Sequence, residues 1–416
     1  MILPDLNAHS VDLAAAVLAP VVRRTPLRHS ARLSNEVGIP VLLKREDQQI
    51  SRSYKFRGAY HLISGLSAAE RERGVVCASA GNHGQGLAHS CALLGIRGRV
   101  FVPQNTPRQK RQRIQSLGKG LVELVTIGSS YDEASAAAHQ DSHDTGAIYV
   151  HPFDDPRTIL GQGTIAPELI EQSDQPIGTV VVPVGGGGLI SGIALWLREN
   201  QPDIHIIGVE PAGAASMAAA LKAGHPTTLE SIDTFVDGAA VGRVGDLTFP
   251  VVRDLVDEIV TVEAGALCTE MLSLYQVEGV IAEPAGALAS AALRTLSPAT
   301  GKAVVAIVSG GNNDVSRYAE IVERSLLHEG LRHYFLVTFP QEPGALRHFL
   351  DEVLSEDDDI VVFEYVKKNN RETGPALVGI ELEQATDLKP LLERMERSPL
   401  TIELVPPGSP VFKFLL

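Results

Sequence analysis

From Pro40 onward, short apolar runs bounded by glycine, proline or charged residues alternate with longer stretches of helical periodicity. That alternation is the sequence form of βαβ units and predicts an α/β fold with mainly parallel sheets. Strands are predicted at 41–44, 75–78, 98–102, 121–126, 179–184, 204–209 and 303–308, with helices filling most of the gaps. The apolar stretch 11–22 is preceded by Asp5 and His9 and interrupted by Asp12 and Pro20, so it reads as an N-terminal helix packed on the body. After Arg332 the rhythm changes. A strand at 334–339 and a turn at 340–344 lead into a helix whose Leu346, Phe349, Leu350, Val353 and Leu354 make one apolar stripe. Strands at 360–366 and 376–382, joined by a polar turn at 367–374, precede a helix at 388–397 and a strand at 401–405. This βαββαβ order is the ferredoxin-like motif.

Composition narrows the class of partner. At 416 residues, with 44% hydrophobic and 21% charged positions, the chain has ample material for two or three domains. A formal charge of −14 argues against nucleic acid or an anionic membrane surface as a partner and leaves a small molecule as the expected ligand. Cys77, Cys91 and Cys268 are odd in number and widely spaced, which indicates neither a disulfide framework nor a zinc site and fits a reducing cytoplasm.

Four loops carry candidate chemistry. Lys55 sits in Ser53-Tyr54-Lys55-Phe56-Arg57-Gly58. A lysine works as a nucleophile or base only where burial or a neighbouring cation lowers its pKa, and Arg57 and the two aromatics are candidates for such surroundings. Gly185, Gly186, Gly187 and Gly188 follow an apolar run and precede an amphipathic helix beginning at Leu189. Successive glycines let backbone N–H groups converge on a phosphate at a helix N-terminus, although a tight turn alone would show the same run. No Lys-Ser/Thr pair follows and the spaced Rossmann pattern is absent, which disfavours ATP or NAD. Asn82 lies in Ser79-Ala80-Gly81-Asn82-His83-Gly84-Gln85-Gly86, a small-residue loop between a strand and a helix with N–H groups available for an anion. Ser309 follows the strand predicted at 303–308, at a C-terminal strand end where open α/β sheets place ligands.

Taken in order with Glu283-Pro284-Ala285-Gly286-Ala287 and Ser309-Gly310-Gly311-Asn312-Asn313, these segments resemble the β-family of pyridoxal-phosphate enzymes. That family includes tryptophan synthase β, serine racemase and the threonine and serine dehydratases. The resemblance covers residues from about 20 to about 325. It implies a fold type II catalytic domain over 1–328, with a smaller subdomain around 55–160 and pyridoxal 5'-phosphate between the subdomains. It implies that Lys55 binds the cofactor covalently and then acts as the base, and that Gly185–Gly188 and Leu189 hold its phosphate. Asn82 would bond the phenolic oxygen, Ser309 the pyridine nitrogen, and Glu283 would lie near the ring. Gly238 would pack on one ring face opposite Phe56. Ser79, Ala80, Gly81, Asn82 and His83 would grip the substrate carboxylate, with no acid–base role for His83.

The tail over 332–416 resembles the ACT-like regulatory domain of biosynthetic threonine dehydratases, the members of closest resemblance, although an oligomerisation module of this fold would show the same pattern. The implied activity is dehydration of L-threonine to 2-oxobutanoate and ammonia, the first step towards isoleucine. Isoleucine or valine would act at the tail of a cytoplasmic homotetramer. L-serine as substrate, another β-eliminating lyase of this family, and a non-catalytic amino-acid sensor stay open. Serine racemases carry a serine where this chain has Ala80, so elimination without appreciable racemisation is expected. Their metal carboxylates are incomplete around Glu210, and no metal requirement is expected.

Overall fold

The computed structural model describes residues 5–296, 301–365, 372–406, 409 and 412, which divide into two compact units, 1–314 and 315–416. The first unit holds two sheets. Its six-stranded sheet runs Leu27–His29, Val41–Arg45, Ala303–Val308, Ile177–Pro183, His205–Pro211, Glu258–Val262, with every pairing parallel except that between the first two strands. Ile177–Pro183 and Ala303–Val308 are buried at every position because helices cover both faces, which is why they read as continuous apolar runs. The smaller sheet is also parallel, in the order Val122–Thr126, Gly98–Val102, Val75–Ala78, Ile148–Tyr149. The strands predicted at 75–78, 98–102 and 303–308 form with those bounds. Three strands escaped prediction: Leu27–His29, Ile148–Tyr149 and Glu258–Val262.

Helix Ala8–Leu18 packs Val11 and Ala14 into the main core with Ile193, Ala194 and Leu195. Among the described residues no helix is long and apolar enough to cross a membrane. In the second unit, strands Arg332–Pro340, Asp359–Tyr365, Thr373–Glu381 and Thr401–Leu404 form an antiparallel sheet, with the second and third strands on one side of the first and the fourth on the other. Helices Ala345–Glu352 and Leu388–Arg397 complete βαββαβ and bury Phe349, Leu391 and Met395 against Phe335, Val337 and Phe339. Helix Tyr318–His328 groups with this unit, ahead of the position read from the sequence. Val366 and most of the 367–374 turn lie outside the described residues.

Candidate active site

Backbone pairing brings Lys55 to the end of the large sheet. Ser53 bridges Gly310, the Tyr54 N–H donates to the Ser309 carbonyl at 3.1 Å, and the Gly311 N–H donates to the Arg52 carbonyl at 2.9 Å. Lys55 then opens helix Lys55–Ser64. The helix Asn82–Leu94 crosses its start at Gly86, where an added Cβ would fall 3.1 Å from the Phe56 Cα, so only glycine permits the approach without displacement. The partly buried Lys55 amine donates to the Pro152 carbonyl at 3.1 Å and lies 5.3 Å from the Tyr54 ring centroid. Burial lowers its pKa to about 8, against a smaller upward pull from Glu283. The Arg57 charge does not contribute to that shift: its guanidinium is buried in ion pairs with Glu46 at 2.8 Å and Glu168 at 2.6 Å.

Across from the lysine, Asn82 forms a polar chain. Its amide donates to Glu283 Oε1 at 2.5 Å, and the Asn312 amide donates to Asn82 Oδ1 at 2.6 Å and to the Ser51 carbonyl at 2.8 Å. Glu283, at the N-terminus of helix Pro284–Ala292, is held near the Ser309–Gly311 segment by its own N–H, which donates to the Gly310 carbonyl at 3.1 Å. An added Cβ on Gly238 would sit 2.8 Å from the Ala285 Cβ and 3.7 Å from Glu283 Oε1. Ser309 is buried and its hydroxyl donates to the Ala285 carbonyl at 3.2 Å. The Gly81 N–H donates to Ser79 Oγ at 3.2 Å, and Ala80 packs partly buried against the small-subdomain core.

Phe56, expected on a ring face of the cofactor, is fully buried with its ring against Tyr60 and His89; a step of one residue on a helix turns a side chain by about 100°. Tyr54 is the aromatic beside the amine. His83 is a packed ring whose Nε2–H donates to the Val150 carbonyl at 2.6 Å, and burial, aided by the nearby Lys55 charge, lowers its pKa to about 3, leaving it neutral. Glu210 accepts the Met217 and Ala218 N–H groups at 2.7 and 2.8 Å and so serves the start of helix Ser216–Ala223.

The tetraglycine turn has the features of a phosphate cradle. Gly186, Gly187 and Gly188 are buried, and Gly187 sits at φ 95°, left-handed backbone that favours glycine. An added Cβ on Gly186 would lie 2.3 Å from the Phe153 ring, and one on Gly188 2.9 Å from the Phe153 backbone. The N–H groups of Gly185, Gly186 and Gly187 have no partner among the described residues, at the N-terminus of helix Gly188–Asn200. Unpaired donors, two of them on buried glycines, gathered at a helix dipole fit the phosphate of pyridoxal phosphate. Leu189 points into the main core.

The buried Glu283 carboxyl has its pKa pushed up from 4.5 to about 7, by burial first and then by Asp237, against the Asn82 hydrogen bond. A raised folded-state value stabilises the protonated form, so this contribution is complete below about pH 4.5 and lost as pH rises through 7. Glu283→Gln in the cofactor-free protein should therefore flatten the decline of stability between these values, by up to about 3 kcal/mol. Urea unfolding at several pH values checks this, and parallel profiles for the two proteins would contradict it.

Two family models match: "Pyridoxal-phosphate dependent enzyme" over residues 18–310 and "C-terminal regulatory domain of Threonine dehydratase" over 323–415. The chain is 57% identical to the biosynthetic L-threonine dehydratase of Mycobacterium bovis over 99% of its length and 96% of that protein. It is 49% identical to the Bacillus subtilis protein of the same description, over 95% and 94%. Among solved structures, the processed form of threonine deaminase isoform 2 from Solanum lycopersicum matches with TM-score 0.72 and 37% identity, covering 76% of this chain and 93% of that one. Maize serine racemase matches with TM-score 0.71 and 35% identity, over 77% and 98%.

Proposed function

The chain belongs to the biosynthetic L-threonine dehydratases, pyridoxal-phosphate-dependent lyases that convert L-threonine to 2-oxobutanoate and ammonia, and we propose that Lys55 is the residue through which it does so. The single observation that carries this assignment is the Lys55 amine, held by Pro152 beside Tyr54 and depressed to about 8. The cofactor, when bound, supplies the electron sink that makes the Cα proton of an amino acid acidic. The freed Lys55 amine takes that proton from Cα. The 79–83 loop, with its small residues and helix start, orients the substrate carboxylate through backbone N–H groups. Gly185 to Leu189 would hold the cofactor phosphate and Asn82 would bond its phenolic oxygen, with Tyr54, the aromatic beside the amine, and Gly238 serving the ring. The Ser309 hydroxyl would meet the pyridine nitrogen without charge, which would favour loss of the β-hydroxyl over transamination. Catalysis of this kind fits a cytoplasmic enzyme.

The second unit is read as an isoleucine or valine sensor, in a protein that assembles as a homotetramer. Its support is a cavity of about 400 Å³ beside helix Ala345–Glu352, with Phe339, Leu346, Leu350, Phe363 and Tyr365 as apolar wall. Glu342 and Arg347 at the same cavity match the two charged ends of an amino acid. Added isoleucine should lower threonine turnover, and Tyr365→Ala should raise the concentration for half inhibition about tenfold. Steady-state assays across an isoleucine series check both; a wild-type enzyme indifferent to isoleucine and valine would contradict the sensor.

A further inference from the structure

The shape of the tetraglycine turn depends on side chains distant in sequence. The Gly186 carbonyl accepts the buried Thr248 hydroxyl at 2.6 Å and the Gly245 N–H at 3.3 Å. In a trans peptide the N–H points opposite to the carbonyl, so anchoring this oxygen aims the Gly187 N–H away from Thr248. Thr248 is fixed in turn by Asp154, whose carboxylate accepts the N–H groups of Asp246, Leu247 and Thr248 at 3.0, 2.9 and 3.3 Å. Asp154 is itself tied by its N–H to His151 Nδ1 at 2.7 Å, and its neighbour Phe153 forms the wall behind Gly186 and Gly188.

We propose that Thr248 and Asp154 are positioning residues for the cofactor phosphate, setting the direction of the glycine N–H groups without touching the phosphate. This rests on reading the turn as the phosphate cradle. Neither residue holds a ligand itself; each fixes a peptide plane that would otherwise rotate. The full-length protein, freed of cofactor, is titrated with pyridoxal phosphate and with phosphate-free pyridoxal, following absorbance. Thr248→Val should weaken pyridoxal phosphate about tenfold while pyridoxal binds as in the wild type, and Thr248→Ser should restore the affinity. The phosphorus resonance of bound cofactor should shift in the valine variant and not in the serine one. Asp154→Asn, which loses an acceptor for the same N–H groups, should show the same selective loss and serves if the valine variant does not fold. Equal weakening of both ligands, or of neither, would overturn the proposal. A wild-type protein that binds both ligands equally would instead overturn the reading of the turn as a phosphate site.

Discussion

Replacing Lys55 by alanine is expected to abolish threonine turnover and the visible absorption of bound cofactor together. The magnitude follows from what the amine does twice. It attaches the cofactor, which requires a neutral nucleophile, and it later accepts the Cα proton, which requires a base of matched strength. With a pKa near 8, about a quarter of the amine is neutral at pH 7.5, against about one part in a thousand for an ordinary lysine. Among the described residues around it, His83 is neutral with its Nε2–H committed to Val150, and Glu283 is tied to Asn82. The rate should fall by at least about four orders of magnitude. Lys55→Arg should not rescue it, because a guanidinium stays protonated. Single-turnover assays with absorption spectra decide the matter, and an alanine variant that kept either property would remove Lys55 from the chemistry.

Replacing Arg57 by methionine should give the largest loss of stability in the catalytic unit. Arg57, Lys44, Glu46 and the partly exposed Glu168 form a neutral cluster: Lys44 reaches Glu168 at 2.6 Å, and the Arg57 guanidinium bonds both carboxylates and Thr164. Thr25 donates to Glu46, which is fully buried. Burial alone would raise the Glu46 pKa, yet the charges of Arg57 and then Lys44 hold it below the usual carboxylate range. Without Arg57 the Glu46 charge loses its principal partner, at a cost of about 3–5 kcal/mol. Thermal unfolding should show a drop of about 6 °C or more. In the double variant Arg57→Met, Glu46→Gln part of the loss should return, since the stranded charge is gone. Equal stabilities for wild type and Arg57→Met would show that the cluster contributes nothing.

Much of the catalytic fold was legible because its central strands are buried on both faces and read as unbroken apolar runs. The missed strands lack that signature. Leu27–His29 is a three-residue edge with two exposed positions, Ile148–Tyr149 has two residues, and Glu258–Val262 is a partly exposed edge. The site loops were legible because backbone N–H chemistry demands small residues in sequence, as in Gly185–Gly188 and the 79–83 loop. The supporting side chains were not. Asp154 meets Leu247 across 93 positions and Asn312 meets Asn82 across 230, so no local pattern connects them. Where the Phe56 side chain points depends on where the helix begins, a boundary that periodicity leaves loose.

The activity is read directly by incubating the purified protein, with pyridoxal phosphate, on L-threonine and measuring 2-oxobutanoate and ammonia. The two products are expected in equal amounts, at a higher specificity constant for threonine than for serine. Threonine recovered unchanged, or converted to D-threonine without 2-oxobutanoate, would contradict it.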